Sequence, residues 1–185
     1  MYDIPAVIFA GGKSSRMGRD KALLPFGGEE SLAAYQYKRL SGLFREVYLS
    51  SKEEKFTFDV PVIYDRYDQS SPLVALISAL ETLGSDEIFV LGVDIPFVEA
   101  EVIERLYAHR DASWDVVIAQ SPQGLQPLCG FYRRRILPQA RENLHQNIHK
   151  LQHLLKDTRT LPVTIQNEKT FTNLNTPQEY QSALK

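Results

Sequence analysis

Residues 6–21 carry the strongest indication of fold and function, and they read Ala6-Val7-Ile8-Phe9-Ala10-Gly11-Gly12-Lys13-Ser14-Ser15-Arg16-Met17-Gly18-Arg19-Asp20-Lys21. The apolar run 6–9 predicts a buried first strand. The glycines that follow allow the backbone to turn sharply and to approach a ligand closely. Four cations lie around this turn. A backbone rich in N–H donors, combined with concentrated positive charge, is typical of a polyphosphate site.

This loop differs from two common phosphate-binding loops. Gly12-Lys13-Ser14 matches the end of a P-loop, but the leading glycine of that pattern would fall at Val7. The lysine at position 13 also rules out a G-x-G-x-x-G dinucleotide pattern. The alternative is a solvated basic turn without a ligand. The order strand, glycine-rich turn, basic cluster favours a nucleotide site.

Residues 9–21 also resemble a known signature, the L-A-G-G-x-S-x-R-M-G-x-D-K of the molybdenum cofactor guanylyltransferases. These enzymes belong to the nucleotidyltransferase superfamily, which has a Rossmann-like core. The resemblance implies a nucleotide site that includes Phe9, Ala10, Gly11 and Gly12. It also implies that Lys21 binds the triphosphate and that Arg16 faces the transferred phosphate. Fixed cations stabilise the charge that develops in phosphoryl transfer, so both residues are candidate catalytic residues.

Composition is that of an ordinary globular protein. The chain has 185 residues, 43% of them hydrophobic, which predicts one nucleotidyltransferase domain over 1–185. A net charge of -2 argues against general nucleic-acid binding. The single cysteine, Cys129, fits a reducing compartment and lies in an apolar run, where we expect it to pack in the core. Without an apolar segment of about 20 residues or a signal-like start, we expect a cytoplasmic protein with no membrane partner.

Strand and helix patterns alternate along the chain. The apolar run at 88–93 is typical of a strand buried on both faces, and Pro61 indicates a sheet edge. Strands are predicted at 6–9, 47–49, 60–64, 88–93, 116–119, 128–132, 163–165 and 171–174. Helices are predicted at 31–44, 72–83 and 102–106, as one or two over 134–155, and after residue 176, with 120–126 as a loop. The order predicts an α/β, three-layer, Rossmann-like fold with a mostly parallel sheet and helices on both faces.

Asp94 is the candidate metal ligand. It ends the most apolar strand, in Gly92-Val93-Asp94-Ile95-Pro96-Phe97, and ligands of such folds lie beyond the carboxyl ends of the strands. One or two carboxylates plus substrate phosphates typically hold Mg²⁺. The segment matches the family element G-x-D-x-P-F, whose aspartate carries the metal, so the resemblance implies catalytic and nucleotide-binding roles as well. The alternative is a turn or capping residue before a proline.

Asp65 is the candidate for reading the base. It follows the strand that ends at Tyr64, and the resemblance implies a contact with the guanine nucleotide. Guanine presents two adjacent N–H donors on one edge, and an ionised carboxylate is a pure acceptor with two oxygens. Cytosine lacks that donor pair. The alternative is a surface salt bridge to Arg66 or Arg45.

Asn173 and Asn175 are candidates for the acceptor side. They lie in Phe171-Thr172-Asn173-Leu174-Asn175-Thr176-Pro177, which matches the family element N-x-N-T-P. Spacing by two places both amides on one side of a strand end, where they could bind a pterin acceptor or order the metal site. The alternative is capping of the last helix, for which Thr176 and Glu179 already form a capping box.

The chain departs from the family pattern in three places. Ser71-Pro72-Leu73-Val74-Ala75 replaces G-P-L-A-G, which adds a β-carbon at both glycine positions. Gln126-Pro127 stands where the family often has His-Pro, and Ser50 and Ser51 fall where some members have an asparagine. The changes bear more on acceptor binding than on nucleotide binding.

His145, His149 and His153 recur every four residues, a spacing that can chelate a transition metal on one helical face. The neighbouring apolar stripe, which includes Leu151 and Leu155, explains the same pattern as an amphipathic helix. We therefore expect the histidines to lie on a solvated face.

The function that follows from the resemblance is transfer of GMP from Mg-GTP to the terminal phosphate of a molybdopterin-type cofactor, with release of pyrophosphate. GTP, that cofactor, Mg²⁺ and proteins of cofactor biosynthesis and delivery are the implied partners. Molybdopterin cytidylyltransfer and sugar-phosphate nucleotidyltransfer are alternatives with the same chemistry. An alternative of another class is a weakly catalytic nucleotide-binding module.

Overall fold

A computed structural model describes residues 1–11 and 20–184. The strands are β1 (Ala6–Phe9), β2 (Val47–Ser51), β3 (Val62–Tyr64), β4 (Glu87–Gly92), β5 (Val116–Ser121), β6 (Gly124–Arg133) and β7 (Thr160–Thr164). The α-helices are α1 (Leu32–Ser41), α2 (Pro72–Leu83), α3 (Ala100–Ala108), α4 (Leu137–His145), α5 (Leu151–Lys156) and α6 (Pro177–Ala183). Short 3-10 helices lie at Lys21–Leu23, Arg134–Ile136 and Glu168–Phe171.

The strands form a seven-stranded sheet in the order β3-β2-β1-β4-β6-β5-β7. Strands β3, β2, β1 and β4 pair in parallel, and β5 pairs in parallel with β7. Strand β6 is antiparallel to both of its neighbours. The mostly parallel sheet is therefore confirmed, and β3 lies at an edge as Pro61 indicated.

Helices cover both faces of the sheet. Successive side chains of the central strands pack alternately into two cores, one on each face. In β1, Ile8 packs with the core that contains α1 and α3, and Val7 packs with the core that contains α2, α4 and α5. In β4, Phe89 and Val90 divide in the same way. Residues buried on both faces explain why these strands read as continuous apolar runs. The three-layer prediction is confirmed.

Local signals fix several helix ends. Ser71 caps α2 by accepting a hydrogen bond from the Val74 amide at 3.2 Å, and Gly84 ends it with φ 64°. The predicted capping box of α6 is present: Thr176 Oγ1 accepts from the Glu179 amide, and the Glu179 carboxylate accepts from the Thr176 amide. These contacts satisfy amides that the helix itself leaves unpaired.

Two local predictions are wrong. Residues 171–174 form no strand in the described sheet, because Asn167 caps a 3-10 helix there and the buried Phe171 and Leu174 pack in the core instead of pairing. Most of the predicted loop 120–126 is strand: Ser121 ends β5, Gly124 begins β6 with φ 127°, and only residues 122–123 form the turn of this hairpin. The segment that carries the histidines forms two helices, within the one or two predicted over 134–155, and Asn147 adopts φ 58° between α4 and α5.

Within the described residues, no helix has both the length and the apolar character needed to cross a membrane.

Candidate functional site

Residues with ligand-binding chemistry line the carboxyl edge of the four parallel strands. Gly11 follows β1, Ser51 ends β2, Asp65 follows β3 and Asp94 follows β4. Adjacent strands lie about 4.8 Å apart, so this row spans about 14 Å from Asp65 to Asp94. The strand-end rule placed both carboxylates correctly from sequence.

Lys21, Asp94 and Asn175 meet at one end of this row. The Lys21 ammonium group donates to Asp94 Oδ2 at 2.6 Å and to Asn175 Oδ1 at 2.8 Å. The side chains of Lys21 and Asp94 are 21% and 20% exposed, so a ligand can reach them. The fold thus joins predicted site residues that lie 73 and 154 positions apart from Lys21.

The Asp94 turn is held tightly by its neighbours. The Val93 amide donates to the Phe9 carbonyl at 3.1 Å, and the Leu174 amide donates to the Asp94 carbonyl at 3.0 Å. At Gly92 a β-carbon would lie 2.9 Å from Asp94 Oδ1. The carboxylate therefore packs directly against the glycine backbone, in space that a side chain at position 92 would fill.

Two polar side chains on α1, the buried Gln36 and the half-buried Arg39, support the same turn, and the sequence analysis did not single them out. Gln36 is fully buried, and its side-chain amide lies 3.4 Å from the Gly92 carbonyl and 3.3 Å from that of Ile95. Arg39 donates to Gln36 Oε1 at 2.7 Å and to the Pro96 carbonyl at 2.6 Å. Burial lowers the pKa of Arg39, with Tyr35 and Glu99 opposing that shift. A glutamine on the apolar face of α1 was the signal available in the sequence.

Asp65 has an unsatisfied carboxylate. Within the described residues its buried Oδ1 has no hydrogen-bond partner. Burial raises the pKa of Asp65, and the nearby charge of Lys52 opposes the shift only in part. The salt-bridge alternative is wrong, because Arg66 pairs with Glu81 at 3.7 Å and Arg45 with Asp3 at 2.9 Å. A half-buried acceptor without a donor suits a ligand that brings N–H groups.

The first loop is described only at its two ends. Phe9 and Ala10 are buried and Gly11 is exposed. The predictions for Gly12 and Arg16 lie outside the described residues. The Ala10 amide donates to the Ser50 carbonyl at 3.0 Å, so the strand end is rigidly attached to β2.

A cavity of about 490 Å³ has Asp94 in its wall. Asp94, Asn173, Ser71, Leu128, His149 and Lys150 contribute to its wall. His145 and His153 are exposed, as expected, whereas the half-exposed His149 lies in the cavity wall with Nδ1 3.1 Å from Ser71 Oγ. The position of His149 in this wall depends on the break between α4 and α5, and the sequence pattern does not locate that break.

The prediction for Cys129 is confirmed, since the thiol is buried and burial raises its pKa to about 12.

The donor set around Asp94 suits Mg²⁺. Among the residues that the structure describes, no group of three or more His, Cys, Asp or Glu side chains converges on a point. A single carboxylate is enough for Mg²⁺, which keeps several waters and takes further oxygens from substrate phosphates. In this structure Asp94 Oδ2 pairs with the Lys21 ammonium group at 2.6 Å.

Comparison with known proteins identifies the family to which the chain belongs. Residues 6–163 match the family model described as MobA-like NTP transferase domain. A molybdenum cofactor guanylyltransferase of Campylobacter jejuni subsp. doylei is 34% identical and covers 98% of this chain, with 95% of that relative covered. One from Helicobacter pylori is 33% identical, with 99% and 92% covered. The structure of molybdopterin-guanine dinucleotide biosynthesis protein A from Archaeoglobus fulgidus has a TM-score of 0.84 at 20% identity, with 98% and 97% covered, and supports the fold. Sequence match and fold agree, and the chain belongs to the molybdenum cofactor guanylyltransferases, a family of nucleotidyltransferases.

Proposed function

We propose that this protein transfers GMP from Mg-GTP to the terminal phosphate of a molybdopterin-type cofactor and releases pyrophosphate. One observation carries the proposal: Lys21, Asp94 and Asn175 converge within 2.8 Å contacts at the junction of the strand-end row and the cavity. A reacting phosphate at that junction has room for a donor on one side and an acceptor on the other.

The donor nucleotide lies along the strand ends. Guanine faces Asp65, whose Oδ1 has no partner among the described residues and is matched by the N1–H and exocyclic N–H groups of the base. The phosphates lie over the first loop, where Phe9, Ala10, Gly11 and Gly12 supply backbone groups and Arg16 and Lys21 supply positive charge. Asp94 would hold Mg²⁺, which would supply positive charge to offset the charge on the phosphates.

The acceptor occupies the cavity of about 490 Å³ that has Asp94 in its wall. Lys150 on its wall offers a positive charge, and Leu128 offers apolar surface for a planar ring. Asn173 lines the same cavity, whereas Asn175 contacts Lys21. The two asparagines therefore have different roles: Asn173 binds the acceptor, and Asn175 orients Lys21. Ser71 replaces a family glycine without closing the cavity, because its hydroxyl caps α2.

The chemistry needs no covalent enzyme intermediate. An oxygen of the acceptor's terminal phosphate forms a bond to the α-phosphorus of GTP, and the bond from that phosphorus to the bridging oxygen of pyrophosphate breaks. The second pKa of a phosphate monoester is about 6, so the attacking group is already ionised at neutral pH and requires no general base. The protein aligns the reacting groups and stabilises the charge on the transferred phosphate.

Pyrophosphate release tests the proposal. With Mg²⁺ and a molybdopterin acceptor, we expect release from GTP well above that from CTP or ATP, and none without acceptor. Asp94→Asn keeps size but removes the charge that attracts the cation, so turnover should fall by orders of magnitude. Asp59→Asn, at an exposed position, is the matched control and should behave like the wild type.

Three results would contradict the proposal. A preference for CTP would identify a cytidylyltransferase. Nucleotide binding without pyrophosphate release would favour a binding module. Wild-type turnover of Asp94→Asn would exclude Asp94 as the principal metal ligand.

A further inference from the structure

We propose that Lys55 is a positioning residue: it ties together the two ends of the phosphate-binding loop and, through Asp20, sets the orientation of Lys21. The inference rests on the proposed function, because it assumes that Lys21 serves a nucleotide triphosphate. Nothing in the loop signature points to Lys55, which lies on the connection between β2 and β3.

Lys55 bridges the residues on either side of the loop. Its ammonium group donates to the Ala10 carbonyl at 2.7 Å and to Asp20 Oδ2 at 2.5 Å. Ala10 closes the strand before the loop, and Asp20 begins the segment after it. The Lys55 side chain is only 12% exposed. One buried cation thus restrains both ends of the stretch that carries the glycines and the signature arginine.

Asp20 transmits this restraint to Lys21. While Oδ2 accepts from Lys55, Oδ1 accepts from the Ala22 amide at 3.0 Å and caps the 3-10 helix Lys21–Leu23. The cap fixes the backbone at Lys21, from which the side chain reaches Asp94 and Asn175. The contacts therefore run in series from Lys55 through Asp20 to Lys21.

The ion pair with Asp20 also limits the charge that Lys55 can offer to a triphosphate. Its charge is neutralised by Asp20 at 2.5 Å, and one of its donors is committed to a backbone carbonyl. A cation engaged in this way contributes little net charge to the triphosphate. Its effect is pre-organisation: Ala10 and Asp20 are already held together, so less conformational freedom is lost when the nucleotide binds.

Lys55→Met removes the charge and keeps the length of the side chain. We expect about a tenfold or larger loss of affinity for GTP and for inorganic tripolyphosphate, which corresponds to at least about 1.4 kcal/mol. KM for GTP should rise, whereas KM for the acceptor should not change. The matched control is Lys38→Met, which removes a lysine–carboxylate contact of the same 2.5 Å length from a side chain that is 75% exposed. This control should bind GTP like the wild type.

A double-mutant cycle with Asp20→Asn separates positioning from direct contact. If Lys55 acts through Asp20, Lys55→Met should cost little further GTP affinity in the Asp20→Asn protein, and Lys55→Arg should recover much of the wild-type affinity. A full additional loss in that background would mean that Lys55 contacts phosphate directly, which overturns the proposal.

Two further outcomes overturn it as well. The first is a large drop in the ligand-free melting temperature of Lys55→Met with unchanged GTP affinity, which would make the residue structural only. The second is an equal loss in Lys38→Met. Failure of wild-type protein to bind GTP at all would instead refute the proposed function, so the two failures are distinguishable.

Discussion

Asp65→Asn tests whether the Asp65 carboxylate recognises the guanine base by accepting hydrogen bonds from its edge N–H groups. The substitution keeps size and shape, but it removes the charge and replaces one acceptor oxygen by an NH₂ donor. In the free protein Oδ1 is buried and lacks a partner among the described residues. A bound guanine would donate its edge N–H groups to the carboxylate, and in the variant one of these donors would face another donor.

The expected magnitude follows from that geometry. A hydrogen bond to a charged group contributes about 1.5–3 kcal/mol, so GTP affinity should fall by a factor of about ten to a hundred. CTP never uses the carboxylate pair in this way, and its affinity should hardly change. The preference for GTP over CTP should therefore shrink, in contrast to a uniform loss.

In contrast to GTP affinity, the stability of the ligand-free protein should increase in Asp65→Asn. Burial raises the pKa of Asp65 in the folded state, so the ionised group costs stability once the pH has risen through that pKa. At neutral pH Asp65→Asn should consequently raise the melting temperature. GTP affinity of the wild type should decline as acidification approaches the raised pKa, since guanine needs the ionised form, and Asp65→Asn should lack this decline.

Isothermal titration of GTP and CTP into wild type and variant, with Mg²⁺, measures the effect. Asp68→Asn, an exposed position on the same connection, serves as the control. Equal weakening of both nucleotides, or a wild type that already prefers CTP, would refute the base-reading role of Asp65.

Two further substitutions test the junction itself. Lys21→Ala removes a charge-assisted contact worth about 1.5–3 kcal/mol, so GTP affinity should fall about ten- to a hundredfold; a large loss of ligand-free stability with normal GTP binding would make Lys21 structural. Gly92→Ala puts a β-carbon 2.9 Å from Asp94 Oδ1, so turnover should fall and the Mg²⁺ concentration for half-maximal rate should rise. An unchanged Mg²⁺ requirement would show that Asp94 moves aside without consequence.

Much of the architecture was predictable because its signals are local. Strands buried on both faces show as apolar runs such as 88–93, and helix ends show as caps such as Thr176 with Glu179. The alternation of these signals predicts a parallel sheet, and the strand-end rule then indicates Asp65 and Asp94. Lys21 was reached by resemblance to a signature. None of these inferences needs a contact between distant residues.

Chain reversals and irregular segments were less predictable. Pro122 and Gly124 predict a loop at 120–126, because both residue types usually interrupt strands, but most of that segment is strand. The apolar pattern of 171–174 predicts a strand, because burial and pairing leave the same pattern, but the segment is buried without pairing. In both cases local composition is compatible with two structures, and packing decides between them.

Local sequence patterns predict the layered α/β fold and the positions of Asp65 and Asp94 at strand ends. Which side chains meet follows from tertiary packing, and these contacts are Asn175 with Lys21, His149 with Ser71, Lys55 with Ala10 and Asp20, and Gln36 with the Asp94 turn. The physical reason is that a hydrogen bond depends on distance and direction in space. Residues up to 154 positions apart acquire that geometry only when the packed sheet and helices bring them together.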